Sequence, residues 1–71
     1  MINIQDIIPF MKDGWVAMDA NGCWGWWEHK PKIKEDYYWF AQTGYDVYLS
    51  DAFDIAPADD WTKSLIKVGG K

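Results

Sequence analysis

The sequence predicts an α+β domain: a four-stranded antiparallel meander of two hairpins, flanked by a short N-terminal helix and a C-terminal helix. Three observations predict it. Asn21-Gly22 lies between two apolar runs, and an Asn-Gly pair readily supplies the two positive φ angles of a type I′ hairpin turn. A second pair of alternating runs flanks Gln42-Thr43-Gly44, where Gly44 suits the left-handed position of a three-residue loop. Near the end, Trp61, Leu65 and Val68 recur at helical spacing. A length of 71 residues makes room for one small domain, 1–71, and no second one.

Taken in order, Asp6 is placed to cap a helix over about Ile7–Asp13, with Gly14 at the left-handed position past its end. Pro9 then falls in the first turn, where its missing N–H costs nothing. A start at Ile4 under an Asn3 cap is the alternative, with Pro9 inside the helix. The first hairpin occupies about 15–28. A two-residue Asn-Gly loop sets Ala20 against Cys23, Met18 against Gly25 and Val16 against Trp27. Alternation then gives one face Val16, Met18, Ala20, Cys23 and Trp27, and the other Trp15, Ala17, Asp19, Trp24, Trp26 and Glu28. The second hairpin occupies about 37–49. Tyr37, Trp39, Ala41, Tyr45, Val47 and Leu49 share its uncharged, core-seeking face, and Tyr38, Phe40, Asp46 and Tyr48 share the other. Residues 50–58 read as a polar loop anchored by Phe53 and Ile55. The last helix covers about 60–68, with Asp59 as cap, Lys63 and Lys67 toward its negative end, and Gly69 as its stop.

Composition narrows the function. Leu, Ile, Val and Phe supply only fifteen residues, so the core depends on six Trp and four Tyr. The net charge is −4 and there is no Arg, the preferred fork for phosphates and guanine edges, which argues against a nucleic-acid reader. No apolar run approaches the ~20 residues of a membrane span. With no signal-like start and a single cysteine, the expected address is cytoplasmic. His29 and Cys23 are the only imidazole and thiol, and at opposite ends of one strand they stand about 20 Å apart, too far for a nucleophilic pair. Nothing has the ligand spacing of a zinc or calcium site, and no phosphate loop or nucleophile elbow is present. The reading assigns no catalytic residue, no metal and no cofactor, and takes the chain as a non-enzyme.

The unusual feature is apolar aromatic surface on both faces of both hairpins, more than two short helices readily cover. Trp15, Trp24, Trp26, Tyr38, Phe40 and Tyr48 are the candidate partner-binding residues. Asp19, Glu28 and Asp46 form the candidate acidic rim. Trp and Tyr are the residues most often found as interface anchors. A protein-interaction module is therefore the favoured function, as a monomer or a weak homodimer through a strand edge. A carbohydrate-binding domain is the alternative, with Trp rings stacked on sugar faces. An acidic inhibitor docked on a nucleic-acid enzyme is the third reading.

The order Trp15-Val16-Ala17-Met18-Asp19-Ala20-Asn21-Gly22, Trp24, Trp26-Trp27, Lys30-Pro31 and Asp59-Asp60-Trp61 resembles a set of small tryptophan-rich proteins of intestinal anaerobic bacteria, phages and prophages. The resemblance spans residues 14–66. It implies an accessory or mobile-element protein and carries no functional residue over. Tyr37-Tyr38 followed by Thr43-Gly44 is also similar to the middle of a WW domain, a binder of proline-rich peptides. Tyr48 and Leu49 supply no second Trp, and the closing Trp-x-x-Pro is missing. Peptide binding is kept as a mode and that family is not.

Overall fold

Asn3 opens the first element. Its side-chain oxygen accepts the Gln5 N–H at 3.1 Å and caps α1 (Ile4–Ile7). Pro9 has no N–H to continue the α-helical ladder, so the chain tightens into a 3-10 turn over Ile8–Phe10. The helix thus begins at the alternative Asn3 cap, and the longer helix over Ile7–Asp13 under Asp6 does not form. The computed structural model describes residues 1–69. Among them are six strands: β1 (Gly14–Met18), β2 (Trp24–Trp27), β3 (Lys32–Lys34), β4 (Tyr38–Phe40), β5 (Asp46–Tyr48) and β6 (Ile66–Val68). Four make an antiparallel sheet in the order β5-β2-β1-β6, and β3 pairs with β4 alone.

The β1–β2 hairpin forms, one residue out of the predicted register. Val16 faces Trp26 and Met18 faces Trp24. The Gly22 N–H bonds to the Asp19 carbonyl at 2.9 Å, which closes a three-residue loop in which only Gly22, at φ +91°, is left-handed. Asn21 avoids a positive φ and instead accepts the Cys23 N–H at 3.0 Å. A slip of one residue turns every side chain of a strand to the opposite face. Trp24 and Trp26 therefore join Val16 and Met18, while Trp27 joins Trp15 and Ala17.

Two layers cover the sheet. On one face Val16, Met18, Trp24 and Val68 pack against Ile4 of α1 and Ile55, with Ile7, Ile8 and Met11 at the margin. On the other, Ala17 and Trp27 pack against Trp39 of β4, with Leu65 and Trp61 alongside. The Trp39 indole N–H donates to the Met18 carbonyl at 3.0 Å, and its ring meets Trp61 edge-on at 6.5 Å. This is why β3–β4 folds over the sheet instead of extending it.

The predicted second hairpin, 37–49, does not form. Glu28 captures the strand after Gly44: its N–H donates to the Tyr45 carbonyl at 2.9 Å, and its carboxylate accepts the Tyr45 N–H at 3.0 Å. Gly44, at φ +90°, turns the chain past His29, whose ring a Cβ there would meet at 2.9 Å. β5 accordingly pairs with β2 and not with β4, so the sheet is no meander. The C-terminal helix is also replaced. Asp60 caps a 3-10 turn over Trp61–Lys63, and Ile66–Val68 then pairs with β1. Ser64 continues that ladder with a side chain, its Oγ accepting the Met18 N–H at 2.8 Å. Ser50 does the same for the Trp24 N–H at 2.9 Å on the far side of the sheet.

Candidate functional site

Burial separates the aromatic residues. Trp24 is 2% exposed, and Trp27 and Trp39 are buried beside it in the two layers. The Trp24 indole N–H donates to the Ala56 carbonyl at 3.0 Å, which settles its one polar group inside. Trp24 is thus a core residue and not a partner-binding one. Trp15 and Trp26 are half-buried. Trp15 lies between its own lysines, with the Lys30 and Lys67 ammonium groups 5.4 and 5.5 Å from its ring. Trp26 is pinned by an indole N–H bond to the Lys12 carbonyl at 3.1 Å. Phe40 is exposed, with Lys34 over its ring at 4.4 Å.

The tyrosines behave differently. Tyr45 is 69% exposed, Tyr37 and Tyr48 are each 58% exposed, and Val47 is exposed between two of them. Tyr37, Tyr45 and Val47, expected in the core because their shared face carries no charge, therefore lie outside it. The signal against that placement is the phenol oxygen, which favours water unless a buried partner is supplied.

β5 organises these residues. It is an edge of the sheet, and all three of its residues are exposed. Glu28 bonds to Tyr45 and the Leu49 N–H bonds to the Trp24 carbonyl, so by antiparallel alternation residues 45, 47 and 49 turn their backbone groups toward β2. Asp46 and Tyr48 turn theirs outward. Tyr45 and Val47 share one face with Trp26, and Asp46 and Tyr48 share the other with Trp27.

A groove adjoins β5 on each face. One, of about 550 Å³, is lined by Met11, Trp26, Tyr45, Val47 and Leu49, with Lys12, Asp13 and Glu28 as its charged members. The other, of about 540 Å³, is lined by Asp19, Ala20, Asn21, Tyr37, Tyr38 and Tyr48. The predicted site thus divides. Tyr38, Tyr48 and Asp19 come together in the second groove, Trp26 and Glu28 border the first, and Trp15 and Phe40 lie outside both. Glu28 and Asp46 are exposed as a rim requires, whereas Asp19 is 5% exposed and forms a floor.

The electrostatics of the second groove follow from that floor. Asp19 Oδ1 accepts the Trp39 N–H at 2.8 Å. Burial pushes the Asp19 carboxyl above its ordinary range, a shift the Trp39 hydrogen bond only partly opposes. Tyr48 is likewise raised, first by partial burial and then by the nearby charges of Asp19 and Asp46. Tyr38 is raised by partial desolvation and by its hydroxyl's 3.2 Å bond to Glu35. Both phenols remain protonated donors at neutral pH. Among the described residues no three His, Cys, Asp or Glu side chains converge as a metal site would require, and no helix is long and apolar enough to cross a membrane. Comparison of the chain with protein-family models, curated proteins and solved structures returns no match.

Proposed function

We propose that this chain is a non-enzymatic protein-interaction module that takes an extended segment of a partner along the open edge of β5. One observation carries the reading: an edge strand with outward backbone donors and acceptors at Asp46 and Tyr48 is flanked on both faces by exposed tyrosines and a groove. A strand added there gains main-chain hydrogen bonds, and its alternating side chains enter the two grooves in turn. Glu28 and Asp46 at the margins favour a partner with basic residues. The lack of Arg weighs against nucleic acid as that partner. The resemblance to small tryptophan-rich phage and bacterial proteins agrees with an accessory role in the cytoplasm.

Sugar binding draws less support: Trp24, Trp27 and Trp39 are buried, Trp15 has Lys30 and Lys67 over its ring, and Trp26 and Trp61 are half-buried against the core. The test immobilises wild type, a Tyr45→Ser/Tyr48→Ser variant and a Phe10→Ser control, and compares what each retains. A protein held by wild type and Phe10→Ser, and lost at least about tenfold from the double variant, supports docking on β5. Equal capture by all three chains overturns it. Capture that disappears with added salt moves the reading to the acidic inhibitor.

A further inference from the structure

This surface already pairs aromatic rings with cations twice, at Trp15 and at Phe40, using the chain's own lysines. The tyrosine groove has the same chemistry and a buried carboxylate besides, yet no lysine lines it. Tyr37 and Tyr38 meet at 5.2 Å with their planes tilted by 57°, so their rings form two walls of an angle and not a stack. Tyr48 reaches the same groove from β5. Asp19 lies at its floor, 5% exposed, with Oδ1 committed to the Trp39 N–H. Its other oxygen has no hydrogen-bond partner among the described residues. Since no fully buried side-chain oxygen among them is left without one, that oxygen retains an opening to solvent, through the groove it lines.

We propose that the groove of Asp19, Tyr37, Tyr38 and Tyr48 binds an alkylammonium group, presented by a lysine side chain of the partner segment along β5. This rests on the docking reading above and names the chemistry of the occupant. The ammonium bonds to the free Asp19 oxygen while the ring faces attract its charge. One free oxygen suits a compact ammonium; a guanidinium would ask for both oxygens in a fork. Asp46 and Asp51, both felt by Tyr48, and Glu35 beside Tyr38 deepen the negative field. The raised affinity of Asp19 for a proton is what a buried carboxylate shows when it lacks a cation. Because side chains alternate along a strand, the partner should carry lysine toward Tyr48 and apolar residues toward Val47 and Tyr45.

The test follows the ring resonances of Tyr37, Tyr38 and Tyr48 by NMR during titration with n-butylammonium chloride, n-butanol and n-propylguanidinium chloride at constant ionic strength. The ammonium should bind at least about tenfold more tightly than the uncharged alcohol of the same shape. Asp19→Asn keeps an acceptor for the Trp39 N–H and should lose most of that preference. Tyr48→Ala, at an exposed site, gives a second reading should Asp19→Asn fail to fold. Equal binding of ammonium and alcohol, or no response of the three rings, overturns the site. Guanidinium binding as tight as ammonium overturns the choice of lysine. The probe needs the groove alone, so its failure together with β5-dependent capture leaves docking standing. Groove binding without such capture overturns docking instead.

Discussion

Asp19 and Asp60 are carboxylates whose surroundings push them in opposite directions. Burial raises Asp19 above 3.8, whereas the Thr62 hydroxyl and N–H lower Asp60 below it. A raised carboxyl holds its proton in the folded state at a pH where the unfolded chain has lost it. Asp19 therefore costs stability at neutral pH, and that cost is relieved as pH falls through its folded value toward 3.8. Asp60 stabilises above 3.8, and its contribution is lost as pH falls below 3.8 through its folded value. The prediction isolates the first effect. Between neutral pH and about pH 4 the melting temperature of wild type should gain on that of Asp19→Asn, which cannot titrate. A constant difference between the two chains would show that Asp19 ionises as freely as an exposed carboxylate.

Each strand pairing depends on a local device. Gly14 lies where a Cβ would fall 2.5 Å from the Trp27 carbonyl oxygen and 2.7 Å from the Trp26 ring, so only glycine lets β1 and β2 approach there. The turn between β3 and β4 is less well matched. Glu35 and Asp36 adopt φ of +54° and +61°, a region that L-residues other than Asn and Asp rarely enter. Glu35→Gly should stabilise the chain by about 1 kcal/mol, read as a higher denaturation midpoint at unchanged slope. The first hairpin shows how much was readable from local pattern. Asn21-Gly22 announced its turn, but the loop length and hence the register were set by the Asn21 side chain bonding to Cys23. Trp61, Leu65 and Val68 fit a helical repeat, yet Ile66 and Val68 also alternate as a strand does. The unpaired edge of β1 decided between them.

At the scale of the molecule, Trp24, Trp27 and Trp39 build the interior, and Tyr37, Tyr45 and Tyr48 lie on the surface. An indole buries a large apolar area and needs one acceptor, which Ala56 gives Trp24 and Met18 gives Trp39. The contrast is measurable. Trp24→Ala should cost about 3–5 kcal/mol and leave a domain this small largely unfolded. Tyr45→Ser/Tyr48→Ser should stay within roughly 0.5 kcal/mol per site, followed by thermal or urea unfolding. Loss of the fold in the double variant would make those phenols structural and remove β5 as a docking edge.

The amino-acid sequence by itself determined the α+β class, the first hairpin, the short N-terminal helix and the dependence on aromatic residues. Each follows from local propensity or alternation within a few neighbouring residues. Tertiary structure decided that β5 joins β2, that Ile66–Val68 is a strand, and that Asp19 is the floor of a groove. Strand partners and burial depend on which distant edges and faces remain open once the first hairpin has formed. Period and charge record nothing of that competition.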